Sequence, residues 1–185
     1  MRLLIYGFGP YRQFSDNITA KIIGSLPKRP GLSIKDFPVR FQRRQFIEAI
    51  ELYRPDCILG LGQSTRRRID IELRARNRRR DGRTRPGRAI FKDKPKWLMT
   101  TLKLKSGRQA ARSDNAGDYV CNYSIYVMLD HIASRKLDIP FGFVHIPYNY
   151  DRRKARRFVQ NVLRQCYGVA DRINAEKTKA HFTGE

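Results

Sequence analysis

The sequence predicts an α/β fold, a three-layer α/β/α sandwich with a twisted, mostly parallel central sheet. Continuous apolar runs of strand length recur at residues 2–8, 57–62 and 141–146, as in strands covered on both faces. Stretches of helical spacing lie between and after them, so strand and helix alternate at the lengths that crossover connections need. The 185 residues suit one domain with a substantial core, expected over residues 1–175 and followed by a frayed tail over 176–185.

Each element has its own signal. Residues 2–8 read as a buried strand and end in the Gly9-Pro10 turn. Asp16 or Asn17 can cap a helix from Ile18 to Leu26. Leu32 to Phe41 reads as a strand, with Pro38 marking an edge or a bulge. Phe46, Ile47, Ile50 and Leu52 give residues 41–53 a helical rhythm that Arg54-Pro55-Asp56 terminates. From Ile69 to Arg76 apolar and charged residues alternate, which is strand period with one apolar and one charged face. Trp97 to Leu104 is a further candidate strand, and Ser106 to Asp118 reads as loop. A helix is expected over residues 120–133, a buried strand over 141–146, and a long amphipathic helix over 151–174.

Composition narrows the function classes. The three cysteines, Cys57, Cys121 and Cys166, are odd in number and lack CxxC spacing, so neither a disulfide framework nor a zinc ribbon is indicated. A reducing, cytoplasmic setting fits them best. No apolar run approaches membrane-spanning length, and the N-terminal run is too short for a signal peptide. The net charge is +22, which favours polyanionic partners such as nucleic acid without specifying a fold. Residues 66–112 hold 18 Lys and Arg against 4 Asp and Glu, so much of that charge is concentrated in one basic segment.

One cysteine stands in a chemically suggestive place. Cys121 follows the loop Ser113-Asp114-Asn115-Ala116-Gly117-Asp118 and falls in the first turn of the expected helix, where the helix dipole favours a thiolate and free N–H groups can receive an oxyanion. Cys57 in an apolar strand and Cys166 on an apolar helical stripe read as structural. His145 sits near the carboxyl end of a buried strand, where α/β folds commonly present reactive groups. His131, on a helix, and His181, in the tail, are weaker candidates. A Cys–His pair needs a third group to orient the imidazole; spacing leaves Glu72, Asp70 and Asp118 open for that part.

Several segments, in order along the chain, resemble one family. They are Tyr6-Gly7-Phe8-Gly9-Pro10-Tyr11, Asn17 at its spacing from Phe8, Arg54-Pro55-Asp56 with Gly62-Gln63, Ile69-Asp70-Ile71-Glu72 with Asn77, Ser113 to Tyr123, and Phe143-Val144-His145-Ile146-Pro147-Tyr148. Together they resemble pyroglutamyl peptidase I, the pyrrolidone-carboxylate peptidases, which are cysteine peptidases. The resemblance implies Cys121 as nucleophile, His145 as general base and acid, and Glu72 as the orienting carboxylate. It implies removal of N-terminal pyroglutamate from peptides through a thioester, with no cofactor or metal. It places the substrate pocket at Phe8, Tyr11, Asn17, Gln63, Tyr119 and Val120.

The chain departs from the family pattern in two places. The family's FGG becomes Tyr11-Arg12-Gln13, which removes two glycines from the pocket loop. The resemblance puts the family's oxyanion-linked arginine in the run Asn77-Arg78-Arg79-Arg80-Asp81-Gly82-Arg83-Thr84-Arg85-Pro86, where several arginines compete. The leading expectation is therefore a peptidase acting on peptides with an N-terminal pyroglutamate, with self-association and nucleic acid as further options. The rivals are a divergent amidase of the same fold and a non-enzymatic polyanion-binding protein.

Overall fold

Strand parity sorts the side chains of this protein between two helical layers. A computed structural model describes residues 1–11, 14–82 and 85–182, with side chains through residue 169. The elements are β1 (Leu3–Phe8), α1 (Ile18–Gly24), β2 (Leu32–Phe37), α2 (Arg43–Tyr53), β3 (Cys57–Ser64), β4 (Ile69–Glu72), β5 (Arg74–Arg76), β6 (Trp97–Met99), β7 (Ala110–Ser113), α3 (Val120–Ser134), β8 (Phe141–Pro147) and α4 (Arg152–Phe182). Six strands form one sheet in the order β2-β1-β3-β8-β4-β7, and β5 with β6 forms a separate antiparallel ribbon. All pairs of the main sheet are parallel except β4 against β8.

Odd positions of β1 and β3 (Leu3, Ile5, Cys57, Leu59, Leu61) join Ile69, Ile71, Val144 and Ile146 in a core under α1 and α4. The alternate positions (Leu4, Tyr6, Phe8, Ile58) join Phe141 and Phe143 in a second core under α2 and α3. A strand buried on both faces reads as a continuous apolar run for this reason. The same parity sends Asp70, Glu72 and His145, which alternate with those apolar residues, toward α3.

Local chemistry fixes the helix ends. Asn17 caps α1 by accepting the Thr19 N–H at 3.0 Å. Arg54 ends α2 in the left-handed region (φ 42°) with its N–H on the Ile50 carbonyl. Cys57 and Cys166 are buried in the first core, as expected, and Cys57 holds the Cys166 thiol protonated through a hydrogen bond aided by burial. Among the described residues, no helix is long and apolar enough to cross a membrane.

The structure corrects several sequence expectations. The run 69–76 is two strands in two sheets: the backbone leaves the main sheet at Leu73, whose N–H bonds to Ser113 O. Asp70 and Glu72 do not form a solvated charged face, because β4 is buried throughout. Residues 110–113, read as loop, pair parallel with β4. The strand at Trp97 stops at Met99. β2 stops at Phe37, before Pro38, which cannot donate to the ladder. Leu52 lies on the outer side of α2, 74% exposed. α4 continues past Asn174 to Phe182, whereas the tail was expected to fray from 176; residues 183–185 lie outside the described residues.

One buried side chain clamps the ribbon to the main body. The Asn122 carbonyl oxygen accepts the Arg76 N–H at 2.8 Å, and its amide donates to Arg76 O at 2.9 Å and Arg78 O at 2.7 Å. Replacing it removes three hydrogen bonds and leaves the Arg76 N–H and Arg78 O without that partner, while Arg76 O keeps the Arg78 N–H at 2.7 Å. Asn122→Ala is expected to lower unfolding free energy by about 2–3 kcal/mol, read by urea denaturation.

Candidate active site

The site is built where the carboxyl ends of β3 and β8 meet the amino end of α3. Gly62 lies beside His145 in the parallel register. A Cβ on Gly62 would come within 2.7 Å of His145 Cδ2 and 2.8 Å of Cys121 Sγ, so the absence of a side chain there makes room for the thiol and the imidazole together. Gly60, two residues earlier on the same face, makes the equivalent room for the Tyr6 and Phe143 rings.

Cys121 stands in the first turn of α3, partly accessible, while the other two cysteines are buried. The loop before it is set by side-chain turns: Ser113 Oγ accepts the Asn115 N–H at 3.2 Å and Asn115 Oδ1 accepts the Gly117 N–H at 3.1 Å. Gly117 takes φ +81°, a conformation that glycine adopts without strain. The first helical hydrogen bond runs from Tyr123 N–H to Tyr119 O, so the N–H groups of Val120, Cys121 and Asn122 precede the α-helical ladder and mark the positive end of the helix dipole.

His145 is 5% exposed and Glu72 is fully buried. His145 Nδ1 lies 2.7 Å from Glu72 Oε1. A carboxylate only accepts, so the Nδ1 position carries the proton and Nε2 is left for the thiol. Burial alone would lower the His145 pKa. Hydrogen bonds and charge from Cys121 and then Glu72 outweigh it and raise the value from 6.5 to about 9. A folded-state pKa above the unfolded one means this group's contribution to stability is complete below about 6.5 and is lost as pH rises through about 9.

The third-group alternatives separate in space. Asp70 faces His145 in the β4–β8 register, but Glu72 makes the hydrogen bond to the ring. Asp118 pairs with Arg80 at 2.9 Å and with Arg78 at 3.8 Å. His131 sits farther along α3, where burial lowers its pKa, and the side chain of His181 lies outside the described residues.

Of the pocket residues expected from sequence, Tyr11 and Tyr119 meet with ring centroids 5.2 Å apart, and Phe41 adds an edge contact to Tyr119 at 5.2 Å. Phe8 is buried against Tyr6 and Phe46, and Val120 belongs to the same core. Gln63 Oε1 accepts the Ile18 N–H at 2.9 Å, which leaves both amide N–H donors for a ligand. Asn17 is spent on the protein itself: its amide donates to Gly9 O and its oxygen accepts from Thr19. Arg12 and Gln13, the altered loop positions, lie outside the described residues, as does Arg83 among the competing arginines. Arg79 lies over the Phe41 and Tyr123 rings at 5.5 and 5.8 Å.

Sequence reading missed Arg66. Its Nη1 donates to Asp70 Oδ2 at 2.9 Å, Glu72 Oε1 at 3.0 Å and Ser113 Oγ at 3.0 Å, and its Nη2 donates to Asn115 O. The available signal was two carboxylates, Asp70 and Glu72, on one face of a strand whose neighbours are apolar; buried, they require a cation.

A three-layer α/β protein with thiol, imidazole and carboxylate in one hydrogen-bonded series has the constellation of a cysteine hydrolase. The profile of the pyroglutamyl peptidases matches residues 1–155, and the chain belongs to this family of cysteine omega peptidases. The pyrrolidone-carboxylate peptidase of Oceanobacillus iheyensis is 29% identical over 92% of this chain and 99% of its own length. That of Bacillus subtilis is 29% identical over 80% of this chain and 78% of its own. Among solved structures, pyroglutamyl peptidase I from Bacillus amyloliquefaciens aligns with TM-score 0.80 at 25% identity, covering 89% of this chain and 94% of that one. A mutant pyrrolidone carboxyl peptidase from Pyrococcus furiosus aligns with TM-score 0.82 at 23% identity over 91% and 99%, which shows the shared fold.

Glu72→Gln removes the anionic partner of the ring while keeping its shape. The His145 titration, followed by NMR, is expected to fall below about 9, because Cys121 alone then opposes burial.

Proposed function

We propose that this chain removes N-terminal pyroglutamate from peptides by nucleophilic catalysis, with Cys121, His145 and Glu72 as its triad. The observation that carries the reading is the buried Glu72–His145 hydrogen bond, with the Cys121 thiol as the ring's other partner. Cys121 Sγ attacks the carbonyl carbon of the pyroglutamyl residue, and the N–H groups opening α3 receive the oxyanion. The imidazolium of His145 gives its proton to the departing amine, the C–N bond breaks and a thioester forms. A water then attacks the thioester, with His145 taking its proton and returning one to sulfur, which releases pyroglutamate. Glu72 holds the ring in the tautomer that the cycle needs.

The pocket reading uses the same residues. The Tyr11–Tyr119 pair and the Phe8 ring suit a flat, neutral lactam. Gln63, with its oxygen taken by α1, donates its amide N–H to the lactam carbonyl. Asn17 acts by fixing Gly9 in the loop that carries Tyr11. The three free cysteines support action in the reducing cytoplasm.

Wild-type protein is expected to release naphthylamine from pyroglutamyl-naphthylamide, and Cys121→Ala to release none. Turnover of that substrate separates this reading from a divergent amidase that has lost pyroglutamate selectivity. The rate should decline as pH rises through about 9, where His145 loses the proton that the leaving amine requires. Gly62→Ala should lower kcat by about 100-fold, because a methyl group there must displace both reacting side chains. The basic segment near the site favours acidic residues after the scissile bond: pyroglutamyl-Asp peptides should be cleaved faster than pyroglutamyl-Lys peptides at low salt, and equal rates would remove the idea.

A second reading, polyanion binding, rests on the outer face of the β5–β6 ribbon. The Arg74 and Arg76 guanidinium carbons lie 4.1 and 5.0 Å from the centre of the Trp97 ring, beside a cavity of about 580 Å³ that Arg78, Arg88 and Lys96 also line. Such a face offers cations to phosphates and flat groups to bases. Salt-dependent binding of single-stranded RNA that Trp97→Ala weakens would support it; no binding even at low salt would exclude it.

A further inference from the structure

Among the described residues, the Arg66 side chain reaches both the acid of the triad and the loop that delivers the nucleophile. It lies between β3 and β4, with its side chain 35% exposed and its guanidinium against two buried carboxylates. Glu72 Oε1 accepts from two directions: His145 Nδ1 at 2.7 Å and Arg66 Nη1 at 3.0 Å. The same guanidinium binds Asp70 Oδ2, Ser113 Oγ and Asn115 O. Ser113 and Asn115 build the turn that enters α3 at Cys121. Apart from His145 itself, the only other cation among the described residues within ion-pair reach of either carboxylate is Arg68, whose Nε stands 4.0 Å from Asp70.

We infer that Arg66 is a positioning residue for the triad, holding the Glu72 carboxylate against His145 and coupling that strand to the Ser113–Asn115 turn ahead of Cys121. The inference rests on the triad reading above and assigns to that site a fourth residue. The physical need is direct. Asp70 and Glu72 project from the same face of β4 into a buried space, and two anions there repel each other. A planar fork with several donors can satisfy both and still reach the loop; a lysine ammonium supplies the charge without the fork. Glu72 carries a cost of its own, since its Oε2 is buried without a partner among the described residues, so its orientation depends on what Oε1 binds.

The ionisable groups facing His145 are Cys121 from α3, Glu72 and Asp70 from β4, and Arg66 beyond them. The sign of any change therefore discriminates. If Arg66 acted only as a distant cation, its removal would make the imidazolium easier to form and the His145 titration would move up. If it positions Glu72, its removal weakens the Nδ1 hydrogen bond, less is left to oppose burial and the titration moves down.

The experiment compares wild type with Arg66→Ala, Arg66→Gln and Arg66→Lys. Steady-state hydrolysis of pyroglutamyl-naphthylamide is measured across pH, and the His145 titration is followed by NMR in each protein. The expected result for Arg66→Ala and Arg66→Gln is a kcat lower by about 100-fold, with KM changed by no more than about twofold. The basic limb and the His145 titration should move down together, and Arg66→Lys should recover part of both. An Arg66→Ala or Arg66→Gln protein with wild-type kcat and an unmoved limb would overturn the inference, as would an upward shift. If both neutral variants fail to fold, Arg66→Lys decides: wild-type kcat and titration there would overturn it, and a reduced kcat with a lowered titration would sustain it. Absence of turnover in the wild type would fail the peptidase reading instead, while the NMR titration would still decide the part played by Arg66.

Discussion

The hydrogen bond between Glu72 and His145, made inside the sheet, is the interaction on which the rest of the site depends. It joins two strands that run antiparallel in a sheet otherwise parallel. Both partners are withdrawn from water, so each would be costly alone, and breaking such a pair by removing one member typically costs about 3–5 kcal/mol. The bond orients the imidazole toward Cys121 and opposes the effect of burial on the ring. The antiparallel insertion of β4 brings a carboxylate to a position that a uniformly parallel register would give to a different residue.

Three strands converge on the site through one rule. On β3, β4 and β8 every second residue faces α3, and those positions hold Gly60, Gly62, Asp70, Glu72, Phe143 and His145. The intervening positions, Gln63 near the end of β3 excepted, are apolar or glycine and pack under α1 and α4. Cys121, His145 and Glu72 thus all lie on the α2–α3 side of the sheet, beside its second apolar core. The glycines complete the arrangement: without side chains at 60 and 62, Tyr6, Phe143, His145 and Cys121 fit against the sheet. A residue slip in any of these strands would exchange the two faces and lose the packing and the site at once.

Much of this was legible in the sequence, for identifiable reasons. The buried strands at 3–8, 57–64 and 141–147 announce themselves because both faces are apolar, and α3 and α4 because their neighbours are loops with clear turn residues. Cys121, His145 and Glu72 were named from motifs, and the structure brings the three together. The break at Leu73 was not legible, since alternation continues unbroken through it; only tertiary hydrogen bonds from Leu73 and Arg76 show that the chain changes sheet. β7 was hidden because Ala110 and Ala111 carry little apolar signal beside polar neighbours. Arg66 was hidden among the surrounding arginines: in a segment so rich in cations, sequence gives no means of telling which one reaches the buried carboxylates. Asn17, expected at the substrate pocket, also caps α1, a place where asparagine is among the preferred residues.

The central claim is that Cys121 carries the pyroglutamyl group during turnover, and trapping that species tests it most directly. Wild-type protein mixed with pyroglutamyl-naphthylamide, quenched in acid within the first turnover and analysed by intact mass and peptide mapping, should gain the mass of one pyroglutamyl group on the peptide containing Cys121. A protein that releases naphthylamine without ever carrying that mass on Cys121, or that carries it on another residue, would contradict the account.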